Sequence, residues 1–205
     1  VVGEIVEDQA LAGVGWLELQ VDPSTYAPRL GGLQAAVEVV LDALQAAGAK
    51  HGVGTGLVIA GNRTRHPRDA ETHARVARRF AGRGVVGFGL SNDESRGDTR
   101  DFEKAFRIAR DAGLVAVPHA GELRGAGSVL LAVERLGATR VGHGVRAVED
   151  EGVGEQVVGG RRDPVFQLRE HQVRADRTRG HVEVSEGGSP AGRARTLSGP
   201  ADGGR

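Results

Sequence analysis

Five short apolar segments recur along the first 150 residues, and a helical pattern separates each from the next. Their centres lie near residues 17, 57, 87, 116 and 141, at intervals of about 25 to 40 residues. Regular alternation of buried strands with helices is typical of sequential βα units and a parallel sheet. We therefore predict an α/β fold, namely a partial (β/α)8 barrel of the TIM type with about five parallel strands.

The length of the chain limits how much of such a barrel it can form. A complete eight-stranded α/β barrel needs roughly 250 residues, whereas this chain has 205. We expect that N-terminal and C-terminal parts of the barrel are missing.

Composition narrows the class of function. The 27 basic and 27 acidic residues cancel, which argues against a nucleic-acid or anionic-membrane partner. The absence of cysteine excludes disulfides and thiolate zinc sites, including those of the cysteine-ligated base deaminases. No apolar run of about 18 residues and no basic-then-apolar leader is found, so a cytoplasmic protein is the expectation.

The pattern changes at about residue 151. Residues 151–205 contain only 10 Val, Ile, Leu or Phe, and no helical or strand periodicity lasts more than a few residues. We predict two segments, a partial barrel over 1–150 and a Gly/Arg-rich tail of low order over 151–205.

Two histidines lie where the chemistry of such a barrel is expected. Pro118-His119-Ala120-Gly121-Glu122 follows the apolar run that ends at Val117, and His143 follows the next run, 24 residues later. Because α/β barrels place their chemistry at the carboxyl ends of the strands, we expect these side chains to converge there.

These residue types suit metal-dependent hydrolysis. Histidine is a common zinc ligand, and zinc lowers the pKa of its bound water to about 7. A neighbouring carboxyl group, here that of Glu122, can pass protons to the leaving group. Gly121 allows the sharp turn between the two side chains, and His143 is placed to hydrogen-bond the attacking hydroxide.

Pro-His-Ala-Gly-Glu at 118–122 and Val-Gly-His-Gly at 141–144 resemble the adenosine deaminase family of metal-dependent barrels. Further matching segments are 16–21, 86–94 and 146–150, so the resemblance covers residues 1–150 in the right order and spacing. It implies zinc-dependent hydrolytic deamination of a small-molecule purine.

The resemblance also implies residue roles. His119 corresponds to a zinc ligand, Glu122 to the acid that protonates the purine ring nitrogen, and His143 to the residue that orients the hydroxide. Asn92, Asp93 and Gly121 are the predicted substrate-binding residues. The family often has aspartate in place of Gly89 and glycine in place of Asn92, which leaves adenosine, adenine and other 6-aminopurines as alternative substrates.

Two family motifs are absent from the sequence. Neither a His-x-His pair, which supplies two zinc ligands, nor an Asp-Asp pair occurs anywhere in the 205 residues. Replacement by another histidine is not expected, since His51 precedes its strand and His73 is predicted on a helix surface. We therefore expect weak or no zinc binding and impaired turnover, in a truncated copy whose residues 151–205 are translated out of frame.

Other interpretations remain open. The chain could be a non-catalytic remnant that binds a purine or self-associates through the open edges of its barrel. The pair Asp93-Glu94 could belong to a solvated loop, and Glu18 could either support the site or lie exposed on its strand.

Overall fold

The predicted apolar segments form one parallel sheet in the computed structural model, which describes residues 1–154 and 180–183. The strands follow the chain as β1 (Trp16–Val21), β2 (Gly54–Asn62), β3 (Val85–Ser91), β4 (Val115–Ala120) and β5 (Gly142–His143). The helices are α1 (Val2–Leu11), α2 (Ala27–Leu30), α3 (Leu33–His51), α4 (Pro67–Arg79), α5 (Glu103–Arg110) and α6 (Ala126–Leu136). The predicted βα alternation is confirmed.

Strand order equals chain order from β1 to β5, and every pairing is parallel. Successive strands are therefore always added on the same side of the sheet, as in a barrel. The five strands form a curled half-barrel with helices, which confirms the predicted fold class.

A short sixth strand, β6 (Gly180–Glu183), pairs with β1 in parallel on the side opposite to β2. The sequence pattern did not predict it, because it lies in the segment 151–205 that has little apolar periodicity. Residues 155–179 and 184–205 lie outside the described residues, and the prediction of a low-order tail falls mostly on them.

The two faces of the sheet differ in character. Leu17, Leu57, Ile59 and Phe88 are fully buried in the apolar core that the strands share with the helices. The alternate residues face the inside of the curl, because side chains alternate along a strand. They include the polar side chains of Glu18, Gln20 and His119, which are all buried.

Contacts across the inside of the sheet demonstrate the curl. Gln20 on β1 lies 3.1 Å from His119 on β4, measured between the two Nε2 atoms. In a flat sheet, strands three places apart would be separated by about 14 Å. Arg140, just before β5, reaches Glu18 on β1 at 2.6 Å. The curl therefore brings the ends of β4 and β5 towards β1.

Among the helices of the described residues, none has the length and hydropathy of a membrane-spanning segment.

Candidate active site

His119 lies near the carboxyl end of β4, where the strand extends three residues past the apolar run that ends at Val117. Its side chain is only 3% exposed. A Cβ at the neighbouring position 142 would lie 2.5 Å from His119 Cδ2. Glycine at 142 therefore leaves the space that the His119 ring occupies.

His143 stands on β5 beside it. Ala120 pairs with His143 in the strand register, and the rings of His119 and His143 meet edge to face, with centroids 4.7 Å apart and an interplanar angle of 89°. His143 has a φ of 66°, which is uncommon for a residue other than glycine. Backbone of this kind turns the chain sharply at the end of β5 and aims the ring at the neighbouring strand.

Glu122 completes the group from the loop after β4. Its Oε2 atom lies 3.4 Å from His143 Nε2. One ligand atom from each of His119, Glu122 and His143 lies within 4.8 Å of the other two. The structure thus brings together the three side chains that the sequence predicted at this end of the barrel.

Gly121 has a φ of 71°, and a Cβ there would lie 2.6 Å from Val129 Cγ2. Both the backbone angle and the space favour glycine at the turn that leads to Glu122. Its backbone N–H donates to the Glu94 carboxylate at 2.6 Å. The predicted substrate contact of Gly121 stays a prediction.

Asn92 and Asp93 are exposed in the loop after β3, and the hydrogen bonds that their side chains make with described residues are local. The side chain of Asp93 accepts from the hydroxyl and backbone N–H of Ser95, and these bonds hold the pKa of Asp93 below its ordinary value. Neither residue belongs to the His119–Glu122–His143 group. Their predicted role in substrate binding stays a prediction.

Glu94, next to them, is not a solvated residue, because its side chain is 1% exposed. Its carboxylate accepts hydrogen bonds from the loop that carries Glu122. Burial raises the pKa of Glu94, but hydrogen bonds from Arg124, Ser128, Leu123 and Gly121 outweigh this effect and lower it below the ordinary value.

Two further residues near His119 were not predicted from the sequence. Gln20 approaches the His119 ring, and Arg63 donates one hydrogen bond to the backbone carbonyl of His119 and another to Thr99 Oγ1. Arg63 is 2% exposed, and its burial lowers the pKa of the guanidinium. A polar residue inside an apolar strand, as Gln20 is between Leu19 and Val21, was the available signal.

The structure contradicts the predicted place of His73 and decides between the two alternatives for Glu18. His73 is buried rather than on the helix surface, and its Nδ1 atom lies 3.0 Å from the carbonyl oxygen of Ala60 on β2. Glu18 faces the interior, where it meets Arg140 and accepts a hydrogen bond from Trp16 Nε1 at 3.2 Å.

Comparison with known proteins agrees with this geometry. A sequence model of the adenosine deaminase family matches residues 1–173. The chain belongs to the adenosine deaminase family. The match runs past residue 150, where the resemblance in the motifs ends.

Relatives in this family cover the same part of the chain. A putative adenosine/adenine deaminase of Streptomyces virginiae is 57% identical over 149 residues, which are 73% of this chain and 44% of that protein. An adenine deaminase of Arthrobacter aurescens matches in structure with a TM-score of 0.69 and 28% identity, over 78% of this chain and 48% of its own. The chain spans less than half of the length of these relatives.

A second solved structure is a cog1816 amidohydrolase of Burkhoderia ambifaria with bound zinc. Its TM-score is 0.72 at 25% identity, with 78% of this chain and 44% of that chain covered. One structural neighbour of this chain therefore holds zinc.

The described residues supply part of a site for such an ion. Imidazole nitrogen is a ligand of catalytic zinc, and the His119 ring offers one such donor. Glu122 and His143 lie beside it, with 3.4 Å between His143 Nε2 and Glu122 Oε2. Because catalytic zinc takes several protein ligands, His119 alone fits only part of the set.

Proposed function

We propose that this chain carries part of the active site of a hydrolytic deaminase that acts on a 6-aminopurine, with adenosine and adenine as the first candidates. The observation that carries the proposal is the convergence of His119, Glu122 and His143 at the carboxyl ends of β4 and β5. Membership of the adenosine deaminase family supplies the reaction class: water adds to C6 of the purine, and ammonia leaves.

We assign one role to each of the three side chains. His119 is the metal ligand, and zinc, when bound, makes water acidic enough to supply hydroxide at neutral pH. Glu122 gives a proton to the purine ring nitrogen as water adds, for which its carboxyl group must be protonated at that moment. His143 forms a hydrogen bond with the attacking water and so fixes its direction.

The 3.4 Å separation between His143 and Glu122 supports this division of roles. At this separation the proton donor for the purine and the group that orients the water lie side by side at the same end of the sheet. We further propose that zinc binding is weak and turnover impaired, since the chain contains neither His-x-His nor Asp-Asp.

A zinc titration with the purified 205-residue chain tests the proposal. We follow heat release and the ring resonances of the histidines, and we assay ammonia released from adenosine and from adenine. We expect weak zinc binding that shifts the His119 and His143 resonances and disappears in His119→Ala. His51→Ala is the matched control, because His51 ends α3 just before the amino end of β2, whereas the site lies at the carboxyl ends of the strands.

A titration in which zinc leaves the His119 and His143 resonances unmoved would contradict the metal assignment. Tight binding of one equivalent with steady ammonia release would overturn the proposed impairment. Equal zinc affinity in wild type and His119→Ala would reject His119 as the ligand.

The second candidate is a non-catalytic remnant that binds a purine or self-associates. The observation that favours it is the open sheet: among the described strands, β5 and β6 each pair on one side only. Unpaired strand edges are templates for association. Sedimentation velocity over a range of protein concentrations tests this candidate, and a monomer at every concentration would reject self-association.

A cytoplasmic location stays a prediction.

A further inference from the structure

The loop 121–124 is organised around one buried carboxylate. Glu94 lies in the connection between β3 and α5, 27 residues before the loop, and its side chain is almost completely shielded from solvent. Its oxygens accept from four consecutive backbone N–H groups, namely those of Gly121 at 2.6 Å, Glu122 at 2.9 Å, Leu123 at 2.6 Å and Arg124 at 2.9 Å, and from the hydroxyl of Ser128.

This set of hydrogen bonds requires an acceptor with two oxygen atoms and a negative charge. A buried carboxylate is stable only when hydrogen bonds or charges compensate for its lost hydration. Both oxygens are used, because Oε1 accepts from Gly121 and Ser128 whereas Oε2 accepts from the other three N–H groups. The ionised form of Glu94 therefore fits this position better than a neutral amide.

The same loop is held from the opposite side by the β5 connection. The Arg146 guanidinium donates to the carbonyl of Leu123, and the Arg146 backbone N–H donates to the carbonyl of Gly121 at 3.1 Å. Glu149 accepts from Arg146 Nε at 2.7 Å and so orients that guanidinium. Neither Glu94 nor Arg146 is part of the His119–Glu122–His143 group.

We propose that Glu94 is a positioning residue, which fixes the loop 121–124 so that the Glu122 carboxyl group faces His143. The inference rests on the proposed function for the catalytic importance of Glu122, but the placement itself does not. Loss of the Glu94 carboxylate releases four backbone N–H groups at once, so the loop opens and Glu122 leaves His143.

Three variants of the full chain test the inference. Glu94→Gln keeps the size of the side chain but replaces one acceptor oxygen with a donor, whereas Glu94→Asp keeps the charge on a shorter side chain. Glu103→Gln is the matched control, because Glu103 is a partly exposed residue of α5 whose only described ion pair is a 3.7 Å contact with Arg135.

Two measurements read out placement without requiring activity. Amide hydrogen exchange of residues 121–124 is compared with that of residues 57–60 in β2, and the ring resonances of His143 are recorded. We expect Glu94→Gln to speed exchange in the loop by about tenfold or more and to shift the His143 resonances. Exchange in β2 should stay unchanged, Glu94→Asp should lie between wild type and Glu94→Gln, and Glu103→Gln should match wild type.

Unchanged loop exchange in Glu94→Gln would overturn the inference, as would an equal rise in loop and β2 exchange, which signals general destabilisation. Unmoved His143 resonances would also overturn it. A wild-type chain that neither binds zinc nor releases ammonia would reject the proposed function alone, because the exchange and resonance readouts do not depend on either.

Discussion

At the scale of single residues, the site depends on glycines as much as on its polar side chains. The buried His119 ring fills the space that a side chain at 142 would need. Because the ring is also in contact with Gln20 and His143, it has little freedom to move aside. Within the motif around His143, Gly142 is therefore needed for packing against the His119 ring, in addition to the proposed role of His143 in the reaction.

We predict that Gly142→Ala displaces the His119 ring. The added methyl group would lie 2.5 Å from His119 Cδ2, so we expect a loss of about 1–3 kcal/mol in the free energy of unfolding. Urea denaturation measures this loss. Gly127→Ala on α6 is the control, because a Cβ there meets nothing within 4 Å, and it should be neutral or stabilising. Equal stabilities for the two variants would contradict the packing argument.

A second prediction concerns acid. The pKa of Glu94 is lowered below its ordinary value of 4.5, so the folded state favours the ionised carboxylate. This contribution to stability is present above pH 4.5 and is lost as the pH falls through the lowered pKa in the folded state. The urea midpoint should therefore drop more between about pH 7 and about pH 3.5 in wild type than in Glu94→Gln. Parallel losses in both proteins would show that other carboxyl groups dominate.

The residues that sequence reasoning found and those that it missed differ in a physical way. His119, Glu122 and His143 stand directly after apolar runs, so the strand pattern alone places them at one end of the sheet. Gln20 meets His119 across 99 residues of sequence, a contact that depends on the curl of the sheet. Glu94 is buried by the loop that it binds, and no local pattern around Asp93-Glu94 reveals this.

At the scale of elements, apolar periodicity located the strands because each is buried on its helix-facing side. Phe88 on β3 and Phe106 on α5 show the packing: both are fully buried, and their rings meet edge to face with centroids 5.1 Å apart. The bounds of β4 differ from expectation, since Pro118, His119 and Ala120 continue the strand. Helices α1 and α2 were not predicted, because α2 is a single turn and α1 buries only Val6 completely.

We predict that Phe106→Ala costs about 3–5 kcal/mol, because it leaves a cavity between α5 and β3. Since a domain of this size is stable by only about 5–15 kcal/mol, Phe106→Leu, with a smaller expected loss, is the safer companion variant. Val148→Ala, at a side chain that is 79% exposed, should change stability by less than about 0.5 kcal/mol. Thermal and urea melts would refute the assignment of Phe106 to the core if its loss were equally small.

At the scale of the whole molecule, one ion pair joins the two ends of the five-strand sheet. Arg140 precedes β5, Glu18 belongs to β1, and their side chains are 18% and 8% exposed. The strands that they join are four places apart in the sheet. Secondary structure alone does not specify the curvature of the sheet. A contact across its inner face, between Arg140 and Glu18, stabilises that curvature.

We predict that Arg140→Met destabilises the chain by about 3 kcal/mol, because it removes the cationic partner of a buried carboxylate. The double variant Arg140→Met with Glu18→Gln should recover part of this loss. Arg100→Met breaks an exposed ion pair with Asp98 and should cost less than about 1 kcal/mol. Similar losses for Arg100→Met and Arg140→Met, measured by urea unfolding, would refute a special role for the interior pair.

The carboxylate of Glu94 has one more consequence. Consecutive backbone N–H groups that converge on one point form the kind of cradle with which many proteins capture phosphate or sulfate from solution. Here the cradle is filled from within by a side chain of the same molecule. These four N–H groups are therefore not free to bind an inorganic oxyanion, and the choice of buffer anion should leave the loop 121–124 unchanged.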